Sequence, residues 1–218
     1  MTLARTRLAA VIFDCDGTLV DSEPLARAAW ERSLAPHGYE IDDREYAGLI
    51  GLPYARVHGF FAERVPGLAE PEAFWRAYSG ELFGLIDTAL EPFSDALETV
   101  RGVRERGLAV AVASSSTRAR LDRTLVRAGL ADAFAVTVAG DEIARGKPAP
   151  DMFLAAAERL GADPARCAVI EDSPPGVAAG LAAGMHTVGI ARVPADAAGL
   201  GDAHVVLDRL SADAVLAD

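Results

Sequence analysis

Two aspartates stand two residues apart, at 14 and 16, directly behind the apolar run AAVIF, and Gly17 and Thr18 turn the chain just after them. A carboxylate so placed can accept a phosphoryl group as an aspartyl phosphate, which splits one difficult displacement into two easier ones. A second carboxylate two residues along an extended chain points to the same side and can serve as acid and base. Asp14 is therefore the candidate nucleophile and Asp16 the candidate acid/base. Asp and Gly are also ordinary turn residues after any strand, so the assignment depends on what else the chain brings to the same place.

Other strand-like runs end in equally polar residues. LAVAVASS (108–115) leads into Ser114, Ser115 and Ser116, CAVIEDS (167–173) into Glu171 and Asp172, and FAVTVAG (134–140) reaches Lys147 through the loop DEIARGKPAP. In an open parallel sheet, ligands bind beyond the carboxyl ends of the strands, so these residues are expected to converge. Four carboxylates gathered there would raise one another's pKa unless a cation lay among them. Mg²⁺ suits oxygen ligands that include one or two carboxylates and a substrate phosphate, whereas the His and Cys ligands that Zn²⁺ favours are missing. Lys147 and the serine hydroxyls supply donors for phosphate oxygens, and the Gly17-Thr18 turn lets the backbone approach metal and phosphate closely. Thr18, Ser114, Ser115 and Lys147 are the candidate phosphate ligands. Ser115 or Ser116 is also suited to cap the helix that follows, and the acids at 171–172 to begin the next one. Lys147 does not belong to a nucleotide P-loop, because Gly140 is one residue too distant and Pro148 stands where Ser or Thr is required.

The elements that must position these residues alternate. HTVGIA (186–191) and HVVLD (204–208) complete the strand-like runs, with helical stretches at about 95–106, 117–129, 149–161 and 175–183 between them. Gly107, Gly129, Gly161 and Gly184 each follow a helical stretch, where a left-handed C-cap needs no β-carbon. The fold class expected is α/β: a Rossmann-like parallel sheet in a three-layer α/β/α core formed by residues 1–20 and 88–218. Residues 21–87 hold both tryptophans, have helical spacing and read as an all-helical insertion after the first strand, with hinges at Val20 to Ser22 and Glu91 to Ser94. Trp30, Phe60, Trp75 and Tyr78 are read as its core.

With 218 residues, 51% of them apolar, the chain can bury a full core. Its net charge of −11 and lack of any Lys/Arg run exclude a nucleic-acid backbone or an anionic membrane face as partner. No apolar run approaches the roughly 20 residues that span a bilayer. A cytoplasmic monomer is expected, with Cys15 and Cys167 as thiols. The four histidines are scattered without ligand spacing.

DCDGT at 14–18, Ser114 after a strand, Lys147 before Pro148 and the pair Glu171-Asp172 resemble, in order and spacing, the four motifs of the haloacid dehalogenase superfamily. VIFDCDGTLVDSE, GKPAPDMF and VIEDSPPGVAAGLAAGM are similar to its subgroup with a small helical cap, which includes phosphoglycolate phosphatases, sugar-phosphate phosphatases and β-phosphoglucomutases. The resemblance implies nucleophilic Asp14 and acid/base Asp16. It also implies Mg²⁺ on the Asp14 side chain, the Asp16 carbonyl and Asp172, with Glu171 outside this set, and phosphate on Ser114 and Lys147. Ser22 and Glu23 would begin a lid beside the metal, and the GLPY loop, with Gly51 and Tyr54, would reach the substrate. The mutases usually carry Val at Thr18, His at Ala26, Arg at Tyr54 and a phosphate-binding Lys at Thr117, next to Arg118. The reading is therefore a Mg²⁺-dependent hydrolase of a small phosphorylated metabolite, a sugar phosphate by preference. Mutase-like transfer and a phosphorelay receiver are the alternatives.

Overall fold

The computed structural model describes residues 8–50, 52 and 54–217. The chain divides into two compact units, Met1–Asp21 with Glu91–Asp218, and Ser22–Leu90.

The first unit is built on β1 (Ala10–Phe13), which lies at the centre of a sheet because it is apolar throughout and buried on both faces. The chain next forms the two-residue strand β2 (Val20–Asp21), which pairs antiparallel with β3 (Glu91–Pro92), so the two expected hinges lie side by side. The sheet continues with β4 (Ala109–Ser114), β5 (Val136–Ala139), β6 (Cys167–Glu171), β7 (His186–Ile190) and β8 (Val205–Leu207). Among the described residues these strands stand in the order β5-β4-β1-β6-β7-β8, and every pair is parallel.

In the second unit α1 (Glu23–Leu34), α2 (Asp43–Leu49), α3 (Tyr54–Ala62) and α4 (Pro71–Ala89) follow one another. Its last helix runs past residue 87, the end of the helical stretch expected from sequence. A reciprocal capping box between Asp42 and Glu45 starts α2. Helices α1 and α4 pack on each other around Trp30, whose ring stacks on Tyr78 at 3.8 Å and contacts Phe61 and Phe74. Trp30 and Tyr78 are buried, as core residues should be, while Trp75 is exposed.

The sheet unit carries α5 (Ser94–Glu105), α6 (Arg118–Arg127), α7 (Asp151–Leu160), α8 (Pro174–Ala182) and α9 (Ala212–Val215). Met152, Phe153, Ala156 and Ala157 of α7 and Ala179 of α8 close over Ala10, Ile12, Ala111, Val138 and Val169. Val11 and Phe13 point to the opposite face by the two-residue alternation of a strand, and α5 lies against β4. This is the Rossmann-like arrangement read from the sequence. The helix stops agree as well: all four glycines named for them have positive φ. Cys15 and Cys167 are buried and not joined in a disulfide. No helix among the described residues is long and apolar enough to cross a membrane.

Candidate active site

Because β1, β4 and β6 are parallel neighbours, the residues that follow them emerge at one edge. The ladder extends one residue past β1, where the Asp14 amide donates to Ile170 O at 2.9 Å. Lys147 Nζ reaches the Asp14 side chain. It donates to Asp14 Oδ1 and, at 2.5 Å, to Glu171 Oε1, with both the lysine and Asp14 side chains only 7% exposed. Glu171 is held by the Ser173 amide and hydroxyl, each 2.8 Å from Oε2. Its carboxylate fits under α8 only because position 176 is glycine, since a β-carbon there would lie 1.8 Å from Glu171 Cδ.

Asp16, 28% exposed, is gripped from the β4 side. Oδ1 accepts from Arg120 Nη2 at 2.6 Å, and Oδ2 accepts from Ser116 Oγ at 2.7 Å and, more distantly, from Ser114 Oγ at 3.4 Å. The structure thus brings Ser114 to the site and adds Ser116. Ser115 is exposed, and its carbonyl lies against Gly140, where a β-carbon would come within 2.3 Å. The cap of α6 falls to Thr117, not to Ser115 or Ser116, and Ser173 caps α8, which frees Glu171 and Asp172 from that task. Arg120 was not legible in advance, because nothing in RARLDRTLVR distinguishes it from its neighbouring arginines.

Behind Asp16, Gly17 adopts φ +80° and lies so close to Asp172 that a β-carbon would sit 2.0 Å from Oδ2. Thr18, fully buried, turns its hydroxyl toward Asp172 Oδ1 at 3.4 Å.

Burial is the main force on the acids. It pushes Asp14 well above the usual carboxylate range despite Lys147, with Glu171 and Asp172 adding repulsion. Asp172 is raised to about 7 by burial and by Glu171. For Lys147 burial works against the charge, but Asp14 and Glu171 outweigh it and raise the pKa, so the ammonium persists. Burial followed by the charges of Asp16 and Asp14 raises the Cys15 thiol, which makes it a poor nucleophile although it sits between the two aspartates.

Among the described residues no three His, Cys, Asp or Glu side chains form a ready-made metal cage. The donor set nevertheless fits Mg²⁺, which takes one or two carboxylates and fills its octahedron with water and phosphate. Asp14 and Asp172 are buried carboxylates whose ionisation is disfavoured as they stand, and the glycine at 17 leaves the loop pressed against Asp172.

The helical-unit candidates are occupied locally. Glu23 Oε1 accepts from Tyr46 OH at 2.7 Å, the Ser22 carbonyl accepts from the Ala26 amide at 3.0 Å at the start of α1, and Tyr54 OH donates to Pro71 O at 2.7 Å while its ring packs on Trp75. Gly51 lies outside the described residues.

Residues 8–184 match the family model of haloacid dehalogenase-like hydrolases. The chain belongs to that family. Among haloacid dehalogenase-like relatives, it is 34% identical over 186 residues to fructose-1-phosphate phosphatase YqaB of Escherichia coli, covering 84% of this chain and 97% of that one. It is 32% identical over 189 residues to hexitol phosphatase B of the same species, covering 84% and 83%. A crystal structure of a family hydrolase from Deinococcus radiodurans, with bound phosphate and sodium, superposes with a TM-score of 0.72 at 33% identity over 95% of this chain and 92% of that one. The chain is thus a hydrolase, with the family's α/β core.

Proposed function

We propose that this hydrolase is a Mg²⁺-dependent phosphatase of small phosphorylated sugars or polyols, working through an aspartyl phosphate on Asp14. The observation that carries the reading is the convergence of Asp14, Asp16, Lys147 and Asp172 at the ends of adjacent strands, with Lys147 buried against the proposed nucleophile. The relatives' substrates named above, fructose 1-phosphate and hexitol phosphates, support the substrate class.

In this reading Asp14 attacks phosphorus while Asp16 protonates the departing sugar oxygen. Asp16 then takes a proton from the water that cleaves the aspartyl phosphate. Lys147, Ser114 and the Thr18 loop would hold phosphate oxygens, and the Lys147 ammonium beside Asp14 works against the burial that disfavours its ionised, attacking form. When bound, Mg²⁺ would supply positive charge against the transferring group. Asp14, Asp172 and the Asp16 carbonyl would hold it. Arg120 and Ser116 orient the Asp16 carboxylate. Two buried thiols accord with a reducing, cytoplasmic setting.

Phosphate release should be measured on a panel of sugar phosphates, phosphoglycolate and nucleotides, with Mg²⁺ and with excess chelator. Turnover of a sugar or polyol phosphate that chelation abolishes and Mg²⁺ restores is expected. Full turnover in chelator would overturn the metal role. Since Ala26 and Tyr54 stand where similar mutases use His and Arg, hydrolysis should exceed transfer. Efficient conversion of β-glucose 1-phosphate to glucose 6-phosphate, given a trace of bisphosphate and without comparable phosphate release, would overturn the phosphatase.

A further inference from the structure

Two residues past the end of β7, Arg192 reaches back to the loop behind Asp16. Its Nη2 donates to Thr18 O at 2.5 Å and its Nε to Gly17 O at 3.3 Å. Nη1 meets both oxygens of Asp95, at 3.0 and 2.8 Å, and the guanidinium plane lies over the Phe93 ring, 3.8 Å from its centroid. The arrangement is sheltered, with side-chain exposures of 16% for Arg192 and 9% for Asp95. Asp95 is itself fixed, because Oδ2 also accepts from the Leu210 amide at 2.8 Å.

The two carbonyls belong to the peptides on either side of Thr18. The first follows Gly17, whose positive φ and missing side chain allow contact with Asp172, and the second follows the residue whose hydroxyl faces Asp172. A peptide next to glycine is the part of a turn freest to rotate. A guanidinium is a rigid planar fork that can fix two carbonyls and a carboxylate together, which a lysine ammonium on its flexible stem cannot do.

We propose that Arg192 is a positioning residue: by fixing the Gly17 and Thr18 carbonyls it sets the direction of Asp16 and the approach of the loop to Asp172. Its catalytic side rests on the phosphatase reading above. Phe93 and Asp95 lie just beyond β3, so the same guanidinium also braces the segment that pairs with β2. The catalytic loop is thereby tied to both chain segments that bound the helical insertion.

Two readouts test this. Hydrogen exchange should be compared in wild type and Arg192→Lys, which keeps a positive charge for Asp95 in case Arg192→Ala does not fold. The Leu19 and Val20 amides, both donating to Cys15 O, should exchange about tenfold faster or more, while the β1 amides stay protected. On the ester that the panel selects, kcat should fall about 100-fold, the scale of a misplaced catalytic group, with KM changed less than about threefold. Millimolar guanidinium should restore part of the kcat of Arg192→Ala, and urea at the same concentration should not. Unchanged loop exchange would overturn the proposal. So would faster exchange with unaltered kcat, which would leave Arg192 a brace without catalytic consequence. If wild type hydrolyses no ester, the phosphatase reading fails on that control alone, and exchange still decides whether Arg192 holds the loop.

Discussion

Replacing Gly17 with alanine inserts one methyl group at the tightest point of the site. Two costs follow from the geometry. At φ +80° an alanine pays the left-handed penalty, about 1–2 kcal/mol. Its β-carbon would also stand 2.0 Å from Asp172 Oδ2, so the buried carboxylate or the loop must move, and forced repacking of this kind costs about 1–3 kcal/mol. The sum is about 2–5 kcal/mol, read as a lowered urea midpoint in metal-free buffer. The second cost depends on the partner. In an Asp172→Ala background the clash disappears and only the backbone penalty remains, so the same substitution should cost about 1–2 kcal/mol there. The single variant should also need more Mg²⁺ for half-maximal activity, because Asp172 is displaced. Equal cost in both backgrounds, or a single variant as stable as wild type with an unchanged Mg²⁺ requirement, would refute the claim that the loop is packed against Asp172.

Asp14→Asn should fold but release no phosphate from the ester that wild type cleaves best, and near-normal turnover would remove the covalent mechanism. Asp172 binds its proton more tightly folded than unfolded, so metal-free protein should lose stability as pH rises from about 4 through about 7, as melts in chelator would record. A flat profile over that window would count against the burial of this acid. Asp95 behaves in the opposite sense. Burial alone would raise it, but the Leu210 amide and Arg192 hold it below its ordinary value. Its contribution is therefore present above about pH 4 and lost as pH falls through the folded value, so Asp95→Asn should flatten the acid limb of stability, and an unchanged limb would contradict the pairing.

The sheet was legible because its signals are local. The alternation of apolar runs with amphipathic stretches located five of the six parallel strands to within two residues, whereas the first, read as 11–17, ends at Phe13 because the chain turns through Gly17 behind the aspartates. Gly107, Gly129, Gly161 and Gly184 marked helix ends because a left-handed cap leaves its trace in a single residue type. Asp14, Asp16, Ser114, Lys147 and Asp172 were singled out as candidates by one rule, that chemistry collects after the carboxyl ends of parallel strands. The same rule applied one strand further would have reached Arg192, which follows HTVGIA, but a lone arginine after a strand has no partner spacing to single it out. Ser116 and Arg120 depend on how the loop after β4 turns, and three consecutive serines do not encode which one faces Asp16. The pairing of β2 with β3 was equally hidden, since each is two residues long and its partner lies beyond the whole helical segment.

That pairing brings the two ends of the helical unit together. The helical unit leaves the sheet at Asp21 and returns at Glu91, opposite partners in one short ribbon, and opposite residues of an antiparallel pair stand only about 5 Å apart. A segment whose ends nearly touch behaves like a cassette: it can be lengthened, exchanged or replaced by a tight turn without rewiring any of the parallel strands. A designer grafting another helical segment here needs to match only the pairs Val20 with Pro92 and Asp21 with Glu91.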